Sequence, residues 1–100
     1  MAVRLLMTWD VVSGREQEYF EFFVREFMPG MQRLELEPSD AWFTVYGSRP
    51  QIMTMAEMPN LAAVESILHS EEWNTLLGRL MDYVENYHYK LIQARGSFQL

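Results

Sequence analysis

The spacing of apolar residues switches character along this chain, and the order of the switches constrains the fold more tightly than any bulk property. In "VRLLMTWDV", Val3, Leu5, Met7, Trp9 and Val11 fall on one side of a period of two, with Arg4, Thr8 and Asp10 opposite beside Leu6. That alternation, carried by β-branched and aromatic residues, predicts a strand over 3–12. Ser13-Gly14 interrupts it, and Ser13 with Glu16 three positions on has the spacing of a capping box. Over 15–35 the period becomes helical: Phe20, Phe23, Phe27, Met31 and Leu34 form the predicted inner stripe, with Val24 alongside and Glu16, Glu18, Glu21, Arg25 and Glu26 outside. Pro29-Gly30 inside this pattern predicts a kink or a short restart, because proline lacks a backbone donor and clashes with the preceding turn.

"EPSD" (37–40) has loop composition, "AWFTVYG" (41–47) and "QIMTMAEM" (51–58) have strand composition, and "GSRP" between them predicts a hairpin turn. A second helical region opens with Asn60 as N-cap and carries Leu61, Val64, Ile67 and Leu68. It meets "HSEEWNTLL" (69–77), which places a histidine, two carboxylates, a tryptophan and an asparagine close together. Most of this is helix grammar. Ser70 is a favoured N-cap, Glu71 and Glu72 complement the positive end of the helix dipole, and Trp73 leads a stripe continued by Leu76, Leu77, Leu80, Met81 and Val84. The last segment, "YHYKLIQA" (87–94), predicts a strand, followed by a Gly-containing tail.

The resulting order is βαββαβ. With right-handed crossovers it predicts an α+β ferredoxin-like plait: an antiparallel four-stranded sheet with two helices on one face, in a single domain spanning 1–100. Two helices cover one side of such a sheet, yet bulky apolar residues occur on both. Trp42 and Tyr46 alternate with Phe43 and Val45, Ile52 with Met53, and Leu91 with Ile92. An antiparallel sheet facing water is polar on that side, so the pattern predicts a partner, most economically a second copy in a two-fold homodimer.

Composition narrows the function classes. The formal charge is −6, from 14 acidic against 8 basic residues, which disfavours a phosphate backbone and makes nucleic acid an unexpected partner. The predicted third strand also lacks the basic, aromatic motif of plait-type RNA-recognition modules. There is no cysteine, hence no disulfide framework or thiolate chemistry; the expectation is a reducing, cytoplasmic setting. "MAVRLLMTWD" is too short and too interrupted for a signal peptide or a membrane span, so no membrane association is expected. Eight methionines fit a core or subunit interface, since the thioether side chain fills irregular apolar space.

A first helix broken by proline ("FFVREFMPGMQRL"), a Trp-bearing hairpin ("AWFTVYGSRPQIMTM") and a bent second helix with a "SEEW" step together resemble the dimeric α/β-barrel superfamily, whose members pair two ferredoxin-like subunits through their sheets. The likeness spans nearly the whole chain and is closest to small antibiotic-biosynthesis-monooxygenase-like and NIPSNAP-like domains. It implies a homodimer binding a small apolar or aromatic molecule between the second helix and the sheet. Two alternatives are a cofactor-independent monooxygenase acting on an aromatic or polyketide-like substrate and a purely structural dimer. By the same resemblance Trp9, Trp73, Tyr83 and Arg95 are the pocket candidates, with Asn74 beside them. Haem-degrading members use an Asn on the first strand, with a Trp and a His on the second helix. This chain keeps Trp73 but offers Thr8 and Asp10 on the strand, and Asp82 and Tyr83 where the histidine belongs, so no haem or other cofactor is expected.

The catalytic candidates are His69, Asn74 and His88. Each histidine has a structural reading beside the chemical one. His69 can bond the free carbonyls at a helix end, and His88 can make an interface hydrogen bond. The "H-x-E" at His69-Ser70-Glu71 matches half of a zinc-deaminase signature, whose cysteine ligands are missing, and no ligand spacing predicts a metal.

Overall fold

A computed structural model of the chain describes the backbone of residues 2–46 and 49–93 and the side chains of 2–37 and 52–93. Arg95 and the tail, Gly47-Ser48 of the predicted turn, and the side chains of Trp42, Phe43, Val45 and Tyr46 lie outside the described residues. In chain order the elements are β1 (Val3–Val11), α1 (Glu16–Phe22), a π-helical segment (Phe23–Phe27), α2 (Met28–Arg33), β2 (Glu37–Tyr46), β3 (Arg49–Met58), α3 (Leu61–Leu68), α4 (Glu71–Leu80) and β4 (Val84–Gln93). The strands form one antiparallel sheet in the order β2-β3-β1-β4. β1 pairs on both sides, Thr8 lying between Met53 of β3 and His88 of β4. Its alternate residues Val3, Leu5, Met7, Trp9 and Val11 are all buried, the packing outcome of the period-two pattern.

The helices lie on that same face. Tyr19, Phe22, Phe27, Met31, Val64, Trp73, Leu76 and Leu80 join the odd residues of β1 and Ile52, Ala56 and Met58 of β3 in one buried cluster. The opposite face is mixed rather than uniformly apolar. Arg4, His88 and Lys90 stand there among Leu6, Met53, Met55 and Ile92, with Met53 36% and Ile92 38% exposed.

The first helical region departs from its predicted stripe. Helix runs from Glu16 to Arg33 without a break, and the π segment before Pro29 takes the place of the expected kink, with Met28 N–H bonding back to Phe23 O. The wider turn inserts one residue into the helical period, so the buried series steps by five from Phe22 to Phe27. Tyr19 and Phe22 therefore face inward, while Phe20 is 48% and Val24 62% exposed. Ser13 does not cap α1: Arg15 occupies the N-cap position without a side-chain bond. Gly14, at φ +90°, instead donates its N–H to the Glu16 carboxylate at 3.1 Å.

The region closes with a Schellman arrangement. Leu36 N–H bonds Met31 O at 2.9 Å, Glu35 N–H bonds Gln32 O at 3.0 Å, and Glu35 takes the left-handed φ of 64°. The chain turns at once, so 37–40 is strand and not the predicted loop. Pro38 is tolerated because β2 is an edge strand, and the register shifts between Pro38 and Asp40.

Asn60 Oδ1 caps α3 by accepting from Ala63 N–H at 2.8 Å, and Ser70 Oγ caps α4 by accepting from Trp73 N–H at 3.1 Å. Ser70 Oγ also donates to Ile67 O at 2.7 Å, so one hydroxyl joins the end of α3 to the start of α4. The stripe ends earlier than its spacing predicts. Met81 is exposed, and Val84 opens β4 instead of closing α4. β4 thus begins three residues before the predicted 87, with Val84 paired to Val11 and Asn86 at φ 58° absorbing a bulge opposite Thr8–Asp10.

Candidate functional site

Between the helices and the sheet lies a continuous layer of aromatic rings centred on Trp9. The Trp9 Nε1–H donates to the Tyr19 hydroxyl at 3.1 Å. The Trp9 ring meets Phe27 edge-on at 5.9 Å and stacks on Tyr87 at 6.1 Å and 20°. Phe27 extends the layer to Trp73, at 6.0 Å. The rings stand at separations that favour edge-to-face or offset contact. The layer is walled by α1 and the π segment on one side and by β1 and β4 on the other, and Phe23 and Tyr87 are half-buried at its rim. Burial pushes the Tyr19 phenol above the ordinary tyrosine range, against the opposing effect of the Trp9 N–H bond. Burial does the same to Tyr87, helped by the neighbouring Tyr89 phenol.

Of the pocket candidates, Trp9, Trp73 and Tyr83 are among the described residues, and these three do not surround one space. Trp9 and Trp73 are 1% and 2% exposed and sit on either side of Phe27. Tyr83 is half-buried and belongs to a neighbouring group, stacked on Phe22 at 5.1 Å with the Arg15 guanidinium 4.9 Å over its ring. The catalytic candidates are also dispersed. The His69 Nδ1 lies 2.8 Å from Glu65 O, and Asn74 Nδ2–H donates to Ser70 O at 2.8 Å and Leu68 O at 3.3 Å. Both are therefore engaged by backbone carbonyls at the α3–α4 bend, Glu65 O and Ser70 O each also accepting a backbone N–H. His88 is remote from them, exposed on the open face of the sheet. Among the described residues no three His, Cys, Asp or Glu side chains gather as a metal site.

Three buried core residues escaped sequence reasoning. Tyr19 and Phe22 were hidden by the inserted residue of the π segment. Thr54, on the core face of β3, reads in sequence as an ordinary strand threonine; its Oγ1 is buried without a hydrogen-bond partner among the described residues. Elsewhere, a cleft of about 360 Å³ separates α2 from α4, lined by charged groups including Arg33, Glu71, Glu72 and Arg79. Its floor is a close helix approach, where a Cβ on Gly30 would stand 2.7 Å from Leu76 Cδ2. An Arg79–Glu26 ion pair ties α4 to the π segment.

No family model matches the sequence, and no curated protein matches it. Solved structures do match the fold. A NIPSNAP family protein from Agrobacterium tumefaciens superposes with a TM-score of 0.74 at 14% identity, covering 100% of this chain and 99% of that one. SnoaB, a cofactor-independent oxygenase from Streptomyces nogalater, superposes with a TM-score of 0.70 at 14% identity over 99% of this chain and 98% of its own. A protein of the ethyl tert-butyl ether d (ethd) family from Bacillus halodurans gives 0.70 at 13% identity over 95% and 100%. The chain therefore shares the fold of NIPSNAP proteins and of a cofactor-independent oxygenase, as its sequence resemblance implies. At these identities the likeness is one of fold, and function has to be argued from the site.

Proposed function

We propose that the chain is a single-domain subunit of a homodimeric α/β barrel, a ferredoxin-like plait paired with a second copy through the open sheet face. In this reading it binds a small, flat, apolar or aromatic molecule in the ring layer between helices and sheet. The observation that carries the binding proposal is the layer itself: Trp9, Tyr19, Phe23, Phe27, Tyr87 and Trp73 in unbroken contact, with two half-buried rings at the rim. Such walls take apolar ligands, with a few polar groups to orient them. The unpartnered Thr54 hydroxyl, one row along the core face from Ile52 and Trp9, is a polar handle of that kind.

Phe27 fills the space between the two tryptophans, so a ligand enters by displacing it. Phe27 ends the π segment, the part of the helix already departing from regular hydrogen bonding and a common location of functional sites. Among the described residues no helix is long and apolar enough to cross a membrane. A cysteine-free chain suits the proposed cytoplasmic setting.

The second reading is a cofactor-independent monooxygenase, favoured by the fold shared with SnoaB. His69 and Asn74, engaged by helix carbonyls, then act only on leaving those bonds, and His88 stands outside the ring layer.

Titration with 1-naphthol, followed by tryptophan fluorescence and with an oxygen electrode in parallel, tests both readings. Saturable quenching, weakened in Thr54→Val and Trp73→Phe variants of unchanged fold, is the expected result. Added oxygen uptake selects the oxygenase. Linear, unsaturable quenching contradicts the binding site.

A further inference from the structure

We infer that Thr8, His88 and Lys90 form a carboxylate-binding site on the open sheet face, completed when a second copy covers it. The inference rests on the dimer proposed above. The observation is a cleft of about 270 Å³ lined by Leu6, Thr8, His88, Tyr89 and Lys90. Register explains the grouping: His88 pairs with Thr8 and Lys90 with Leu6, so residues two apart on β4 point out of the same face beside their β1 partners. The next strand continues these rows with Met53 and Met55, which leaves an ammonium and an imidazole set in largely apolar surroundings.

Neither His88 nor Lys90 has a hydrogen-bond or ion-pair partner among the described residues, whereas Arg4 on the same face is held by Glu57 at 3.0 Å. Covering an unpaired ammonium with a second copy of this sheet is strongly unfavourable unless an anion accompanies it. The described acids nearest these rows are engaged in their own subunit, while Glu37 stands opposite Glu57 at the far, β2 edge of the sheet. Glu57 holds Arg4, Asp10 accepts from Asn86 Nδ2–H at 3.0 Å, and Glu85 has an interaction of its own. An anion from solution meets the need. The donors suit a carboxylate: an ammonium, a ring N–H and a hydroxyl can share its two oxygens. Leu6, with Met53 and Met55 continuing the rows, suits an apolar body behind it, so the ligand class is a small aromatic or branched carboxylate.

The test uses benzoate, with inorganic phosphate as the comparison anion. The His88 imidazole is followed by NMR, assigned with a His69→Gln variant, and the mass of each sample is measured by sedimentation. The expected result is a dimer in which benzoate shifts the His88 signal saturably, while Lys90→Met weakens binding about tenfold or more, the loss of one charge-assisted contact. A dimer whose His88 signal ignores benzoate, or responds equally in Lys90→Met, overturns the site and leaves the dimer standing. A monomer that binds benzoate in the same way overturns closure by the second copy. A monomer that does not bind overturns both. Phosphate binding as strong as benzoate overturns the carboxylate assignment.

Discussion

The indole N–H of Trp9 donates to the hydroxyl of Tyr19 at 3.1 Å, with both residues 1% exposed, so the centre of the core is an apolar ring layer pinned by one polar bond. Each partner is costly to leave alone there. Tyr19→Phe keeps the ring and strands the indole N–H, and is expected to destabilise by about 1–3 kcal/mol in chemical denaturation. Trp9→Phe removes the donor and also contact area. The double variant is expected to fall short of the sum, because the second change removes a group the first had already stranded. A Tyr19→Phe variant as stable as the parent contradicts the bond's importance.

The same burial sets an alkaline limit. The Tyr19 and Tyr87 phenols are raised in the folded state, chiefly by burial. In the unfolded chain they ionise near the ordinary value of about 10. Above that pH the unfolded state releases protons that the folded state retains, so folding stability is full below about pH 10 and falls as pH rises toward the folded-state values. Ultraviolet titration of the folded protein should show a late-ionising phenol signal that is reduced in Tyr19→Phe and in Tyr87→Phe. Absence of a late-ionising signal, with no loss of stability above about pH 10, contradicts the burial of these two.

Glu35 closes α2 in a left-handed conformation, at φ 64°, that glycine adopts without steric penalty. Its side chain is exposed, so little packing is lost on removing it. Glu35→Gly is expected to raise stability by roughly 1 kcal/mol, the usual cost of a side chain at this position. A rise in midpoint at unchanged denaturant slope is the signature, and a fall contradicts the Schellman assignment.

At the α3–α4 bend, Ser70→Ala removes both the cap on Trp73 N–H and the bond to Ile67 O, and is expected to cost about 1–2 kcal/mol. Ser70→Asp restores the cap and is expected to lie within a few tenths of the parent, apart from the lost bond to Ile67. Trp73→Ala, which empties space beside Phe27, is expected to cost about 3–5 kcal/mol. Loss of a binding activity in Ser70→Asp at unchanged stability contradicts the capping role.

These sites also mark where the sequence was legible. β1 was plain because its period is undisturbed and one face is wholly buried, and Asn60 and Ser70 were plain because capping depends on neighbours within one turn. The first helix misled because a pattern of threes and fours assumes a regular helix. One extra residue in the π segment turns Phe20 and Val24 outward and Tyr19 and Phe22 inward. Val84 misled for a different reason: its distance from Trp73 fits a helical stripe, while its backbone pairs with Val11. The ring layer itself was half legible. Trp9 and Trp73 were singled out as neighbours of a pocket, but Phe27 between them depends on how two distant segments pack, which no local spacing encodes.

The open sheet face is the surface through which a second copy would pair. The direct measurement is solution mass by light scattering at micromolar concentration, for the parent and for Met53→Asp, which places a carboxylate where a thioether is 36% exposed on that face. The prediction is a parent of about twice the 11.9 kDa chain and a variant shifted toward monomer with its fold intact, because a carboxylate desolvated among the methionines and Leu6 of that face is strongly unfavourable. A monodisperse parent at the mass of one chain contradicts the paired-sheet account, as does a Met53→Asp variant that remains fully dimeric.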